Sequence, residues 1–375
     1  MEPETSVPVS AEEKPRRSRQ SLSAVKRHWM TLSFVFGFIL DNITLNRVDQ
    51  LFDNIILASY VVLAMVALLL LYASAAHKIQ GKVGEYARRY SPLLVQFAFG
   101  GLLSGMLIFY GRSGAWAQSW PFMIVILLAI YGNETIKDRA GRLIYNLAIL
   151  FIGLFSYVVL VVPVLTGWMG PWIFVGCGLI ALFVMYQFVQ LLYRVVPNFM
   201  SMQMRSIVFT VGTIFVSFNF LYFTNVIPPI PLSLKEVGIY HSVVHFQETG
   251  EYQLKYEEAR WWQPFKNSDD TYHPVSGDSV FCYAQVFAPT KLATDIVHVW
   301  ERKNEETGDW DEHARLTYSI AGGRAGGFRG YTLINNFVDG KWRCSVETQR
   351  GQLLGREAFT IDSTSEPRAL VTEVR

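Results

Sequence analysis

LYFTNVIPPIPLSLKEVGIY (residues 221–240) marks the point where the chain changes character. Pro228, Pro229 and Pro231 lack backbone N–H donors and fix φ, so a helix arriving through Leu221 cannot continue past them. Residues before proline are pushed toward extended backbone, which predicts a short, stiff collar over 227–238.

On the N-terminal side of this collar, residues 29–226 are mostly apolar runs separated by short polar gaps. On the C-terminal side lie most of the Asp and Glu and five of the seven histidines. At 51% hydrophobic and 14% aromatic, the 375-residue chain is too apolar for an ordinary soluble domain, and the asymmetry resolves it into a membrane half and a water-facing half. A net charge of +2 gives no support for nucleic acid as a partner. The three cysteines, Cys177, Cys282 and Cys344, fit no zinc spacing.

A bilayer-spanning helix needs roughly 20 apolar residues. Runs at 54–74, 92–111, 117–132, 143–165, 169–191 and 206–226 meet that need, and 28–46 is read as a seventh, shorter span ending at Asp41 and Asn42. Residues 1–27 form a basic, disordered tail expected to stay cytoplasmic. Lys78, Lys82, Arg88 and Arg89 fall in one loop, Lys137, Arg139 and Arg142 in a second, and Arg194 and Arg205 in a third. The alternate loops hold only Arg47, only Arg112, or no basic residue, so the positive-inside rule places the C-terminal half outside the cytoplasm.

The span centres carry no charged residue; Asp41 and Glu134 stand at ends. A coupled transporter would be expected to bury more ionisable groups and to show paired broken helices, and neither pattern is present. Gly101 and Gly105, with the small-xxx-small spacing, mark close helix packing in preference to a homo-oligomer surface.

From residue 239 the period changes from helical to alternating. In SVFCYAQVF (279–287), Val280, Cys282, Ala284 and Val286 share one face. Leu316, Tyr318 and Ile320 do so in HARLTYSI, and Trp342, Cys344 and Val346 in KWRCSVET. Turn clusters between them predict an antiparallel, Ig-like sandwich of roughly seven strands over 239–375. The expected fold is therefore an all-α membrane bundle of about seven transmembrane helices followed by an extracytoplasmic all-β sandwich.

By parity Cys282 and Cys344 both face the core, where they are either a disulfide or two small apolar residues, the latter preferred. His241 and His245 have a helical metal-ligand spacing but no third ligand, so a strand with two polar side chains is preferred. AGGRAGGFRG (321–330) is followed by a β-run, which favours a sheet turn over a phosphate loop. His298 and Trp300 share a strand face and form either a ligand patch with Arg324, Arg329 and Arg350 or part of the core, the core reading being preferred. No catalytic arrangement or cofactor site can be assigned by spacing.

The motifs HVW (298–300), GDW (308–310), AGGRAGGFRGYT (321–332) and DGKWRCSVETQRGQLLGREAF (339–359) give residues 278–362 a resemblance to the bacterial domain-of-unknown-function 2914 family. The preceding NVIPPIPLSLKEVGIYHSV resembles the junction in its polytopic members. The resemblance implies a bacterial inner-membrane protein with a periplasmic β-domain; it implies no activity or catalytic residue. Cys344 departs from the small aliphatic residue expected there. Residues and resemblance together lead us to expect a non-enzymatic membrane protein whose outer domain binds a periplasmic protein or envelope ligand, with a transporter or channel subunit as the alternative.

Overall fold

Among the described residues six long helices precede the β-strands: α1 (Leu51–Ala75), α2 (Gly81–Ser113), α3 (Trp116–Thr135), α4 (Leu143–Thr166), α5 (Pro171–Val195) and α6 (Pro197–Phe223). This computed structural model describes residues 38–39, 41–45, 49–113, 116–135, 141–263, 266, 268–275, 277–324 and 326–375, without the side chains of 116–118 and 134. The tail at 1–27 lies outside the described residues. So does most of the span expected at 28–46, of which 38–39 and 41–44 are helical.

Among the described residues α1, α2, α4, α5 and α6 are long and apolar enough to cross a membrane, and Ser119–Asn133 of α3 is a shorter apolar stretch. The 25 residues of α1 reach about 37 Å at 1.5 Å per residue, somewhat more than the hydrocarbon thickness. The ends follow from local chemistry. Gly167 closes α4 in the left-handed region (φ 76°), its N–H bonding the Pro163 carbonyl at 2.8 Å. Pro171 and Pro197 open α5 and α6, where a missing N–H costs nothing. One expected loop is absent, because α5 and α6 are separated by Val196 alone and the 192–205 segment is largely helical. Pro197 is a good first helical residue and did not need the long turn read from Arg194 to Arg205.

Within the bundle, α2 and α4 are the most enclosed of the spanning-length helices; on α4, Asn146 donates to the buried Tyr72 hydroxyl at 2.8 Å, and Phe155 lies against Phe174, Phe215 and Phe218. The glycines of α2 face α1. A Cβ on Gly101 would lie 2.5 Å from the Tyr60 ring and one on Gly105 2.6 Å from Leu57. This surface is filled by α1 of the same chain. Asp41 is buried at the same seam, where its carboxylate accepts from Ser104 and, at 3.4 Å, from Tyr60.

Among the described residues eleven strands follow in three sheets. The first has the order β1 (Ser233–Tyr240), β5 (Val280–Phe287), β8 (Phe328–Ile334), all antiparallel. The second has the order β4 (Thr271–Tyr272), β10 (Leu353–Ile361), β9 (Gly340–Thr348), β6 (Ala293–Lys303), β7 (Trp310–Ala321), with β4 parallel to β10. The third comprises β11 (Leu370–Val374), β3 (Tyr252–Glu257) and β2 (Ser242–His245). Between the first two sheets lie Val280, Cys282, Trp300, Trp342, Cys344 and Phe359, with Ala284, Val286, Ile296 and Val346 in a second cluster. The third sheet packs Val243, Tyr252 and Leu254 against Tyr240 and Tyr283. The expected two-layer sandwich of about seven strands is thus extended by a third layer. Tyr283, on the opposite parity to Cys282, is buried because that layer covers it.

The collar is shorter and more enclosed than a 227–238 spacer. β1 already begins at Ser233, and Ile227, Ile230 and Phe287 join the apolar core of the helices, whereas Leu232 joins that of the sheets. At the same end Thr290 donates to Asp49 at 3.3 Å, and Lys291 Nζ donates to the Leu165 carbonyl at 3.1 Å. Lys78, Lys82, Arg142 and Arg194 lie at the opposite helix ends. The α1–α2 contact gives a test. Gly105→Leu should destabilise the full chain by about 2–4 kcal/mol through overpacking and lower its melting temperature in detergent, whereas Gly176→Leu, where a Cβ meets nothing, should leave it near wild type.

Candidate functional site

His298 and Trp300, adjacent in parity on β6, point into the sandwich and are both completely buried. Thr332 of β8 receives the Trp300 indole N–H at 3.0 Å and lies 3.0 Å from His298 Nδ1. Tyr318 lies 3.1 Å from His298 Nε2. Burial pushes the His298 imidazole down to about 3, so it is neutral, with one nitrogen donating and the other accepting. Beside it Cys282 of β5 and Cys344 of β9 form a disulfide that ties the first sheet to the second. Their sulfurs and His298 are the group whose ligand atoms converge within 4.8 Å among the described residues, and the disulfide uses both thiolates.

The patch of five residues does not assemble. His298 and Trp300 are core residues, with no surface to offer a ligand. Arg324 is exposed in the β7–β8 turn with its guanidinium over Phe328 at 5.3 Å, and Arg329 is half-buried on β8 rather than in a turn. Arg350 lies at the helix end of the domain, over Tyr222 at 4.4 Å. The glycines of 321–327 serve the turn. A Cβ on Gly322 would lie 1.7 Å from the Pro289 carbonyl oxygen, and Gly327 sits at φ 103°.

A different cluster organises the surface. Glu257, at the end of β3, is buried and accepts from His241 Nε2 at 3.1 Å, His273 Nδ1 at 2.7 Å and the His273 backbone N–H at 2.9 Å. The other nitrogen of His241 is 3.3 Å from Asp278, and its ring stacks on Tyr272 at 4.0 Å. Burial pushes the Glu257 carboxyl up, but the hydrogen bonds from His241 and His273 outweigh it and hold the group below the usual carboxylate range. His245, four residues from His241, is exposed and stacks on Tyr252, so the i, i+4 pair is not a ligand pair.

This cluster closes the base of the loop that leaves β3. The Asp269 N–H donates to the Glu257 carbonyl at 3.0 Å, and the buried Asp269 carboxylate receives Arg260 at 3.1 Å and Arg368. Gln263 donates to Asp270 at 2.8 Å, and Lys266 bridges Asp270 and Glu357. On a loop held this firmly, Trp261 is 87% exposed and Trp262 55% exposed, with ring centroids 5.5 Å apart at 85°. Arg260 lies over the Trp262 ring at 5.4 Å. Two exposed indoles are apolar area that would gain by being covered. WW in EARWWQ (258–263) was the signal available in the sequence. The clamp, drawn from residues 241, 257, 269, 273 and 368, left no local one.

Acid should weaken the domain at two groups. A depressed folded-state pKa gives stability that is present above the unfolded value and lost as pH falls through the folded one. For His298 the loss runs from about 6.5 toward 3, and for Glu257 it begins below 4.5. Thermal melts of the full chain should show a stability slope of about 1.4 kcal/mol per pH unit from His298 between pH 6 and 5, removed by His298→Gln. Replacing Cys344 with Ala should cost about 4 kcal/mol, given the 62-residue separation, and is read as a lowered melting temperature.

No curated protein matches the chain. Among solved structures, Pseudomonas fluorescens alkylpurine DNA glycosylase AlkC bound to DNA containing an abasic site analog aligns over 84% of this chain and 99% of that one, at 9% identity. Its TM-score of 0.18 carries no fold relationship. Residues 293–361, from the start of β6 to the end of β10, match the family described as "Protein of unknown function (DUF2914)", the family that the HVW and GKWR motifs resemble.

Proposed function

We propose that this is a non-enzymatic integral membrane protein whose helical bundle holds a β-domain on the extracytoplasmic face, where it binds a protein or envelope ligand. Five helices of spanning length and the basic residues at the end remote from the β-domain support this placement, which in a bacterium is the inner membrane with a periplasmic domain. The observation that carries the binding reading is the clamped loop displaying Trp261 and Trp262. Exposed tryptophans on a fixed loop have the character of an interface hot spot.

Asp41, buried at the α1–α2 seam with Ser104, and Asp53, buried in the first turn of α1, favour a transporter or channel subunit instead. Against it, Pro92, Pro121 and Pro163 lie inside continuous helices, so the described helices contain no broken pair.

Photo-crosslinking in native membranes separates the two readings. The binding reading expects a specific partner attached near residues 258–263, with capture falling about tenfold in a Trp261→Ala, Trp262→Ala chain whose stability changes by less than about 0.5 kcal/mol. Undiminished capture by that variant would remove the loop from the interface.

A further inference from the structure

Arg350 is the sequence-predicted ligand residue that lands beside the membrane helices. It occupies the turn between β9 and β10, and that turn is pinned to the end of α6. Asn225 Nδ2 donates to the Arg350 carbonyl at 3.2 Å, and Gln352 Nε2 donates to the Ile227 carbonyl at 3.4 Å. The guanidinium lies over Tyr222 at 4.4 Å and Phe223 at 5.6 Å, the last residues of α6. Trp168 and Trp172, at the same end of the bundle in the α4–α5 turn and the start of α5, are 68% and 86% exposed. Exposed tryptophans at a helix end mark the level where hydrocarbon gives way to headgroups.

A cation at that level is normally balanced by a carboxylate. Among the described residues none forms an ion pair with Arg350, and its buried Nη1 has no hydrogen-bond partner. The Tyr222 hydroxyl takes one N–H of the guanidinium and the contact to Phe223 takes none, so donors remain in a five-donor fork suited to phosphate. Lys291 adds a second positive charge on the same side of the domain, its ammonium resting on the Leu165 carbonyl at the end of α4. The chemistry missing from this seam is an anionic oxygen group that stays at headgroup depth.

We propose that Arg350, supported by Lys291, binds the phosphate of an anionic phospholipid in the leaflet beneath the β-domain. This rests on the membrane placement proposed above. The cavity next to the site, lined by Met169, Ile173, Tyr222, Pro229 and Gln352, holds only ≈ 20 Å³. That is room for about one water and not for an acyl chain, so recognition is of the headgroup, with the tails lying on the exposed sides of Phe220 and Phe223. The bound lipid would complete the seam electrostatically and hold the β-domain against the bilayer.

Native mass spectrometry of the full chain in mild detergent tests this with phosphatidylglycerol as probe and diacylglycerol of the same chains as the uncharged control. The wild type should retain phosphatidylglycerol and not diacylglycerol. Arg350→Gln should lower retention about fivefold, the loss of roughly 1 kcal/mol expected for one cation at a lipid surface. Arg350→Lys should keep most of it, and Arg324→Gln, on an exposed turn elsewhere, should keep all of it. Equal retention by wild type and Arg350→Gln, or equal retention of diacylglycerol, overturns the proposal. Displacement by excess inorganic phosphate would also overturn it, by making the site one for free phosphate. Carbonate extraction of the same membranes reports separately on placement: a chain released by carbonate refutes the membrane reading, whereas an integral chain that ignores the charge of the lipid refutes only the lipid site.

Discussion

The structure depends on how an apolar helix can end beside a domain that must live in water. α6 ends at Phe223, with Asn225 in the left-handed region (φ 58°) before the proline run begins, and the chain that follows does not hang free: Ile227 and Ile230 remain in the helical core, and five residues after Ile227 Leu232 is already in the core of the sheets. Phe287, from the far end of β5, closes the same seam. Apolar burial is nondirectional, so this continuity alone would permit sliding. The polar contacts from Asn225, Gln352, Thr290 and Lys291 fix the register. The β-domain is therefore seated on the bundle rather than tethered to it.

Above that seat, rigidity is maintained by three devices of different chemistry. The Cys282–Cys344 disulfide joins the first two sheets through their centre, with Trp300 and the neutral His298 packed beside it on Thr332. The tyrosine cluster of Tyr240, Tyr252 and Tyr283 joins the first sheet to the third. Glu257, held ionised by two histidines and a backbone N–H, locks the end of the third sheet to the loop that carries the tryptophans. The display of Trp261 and Trp262 is the last link in this chain of fixed elements.

Much of this was legible in the sequence, for a physical reason: spanning helices and alternating strands declare themselves by period. The parity of β5, β7 and β9 put Cys282, Cys344, Trp342 and Tyr318 inward, as they are found. The proline run located the end of the last helix, and the glycine spacing at 101 and 105 located a helix contact. What could not be read came from residues far apart in the chain. Nothing local at 252–257 or 370–374 says that those strands pair with each other over the first sheet. His241, Glu257 and His273 meet only because β1, β3 and β4 converge. His298 and Trp300 are in the core, the reading preferred from parity, and Arg324, Arg329 and Arg350 of the alternative patch lie apart, because their strands and turns carry them to different faces. Periodicity assigns a face to a residue; it does not say which neighbour that face will meet.

The proposed orientation puts the β-domain outside the cytoplasm and the basic helix ends inside. Cysteine labelling in intact cells tests it most directly. Glu366, exposed beyond β10, and Lys78, exposed between α1 and α2, can each be replaced by Cys in an otherwise unaltered chain. A membrane-impermeant maleimide that passes the outer envelope is predicted to label Glu366→Cys in intact cells and Lys78→Cys only after the inner membrane is opened. The reverse pattern, or equal labelling of both, would contradict the account.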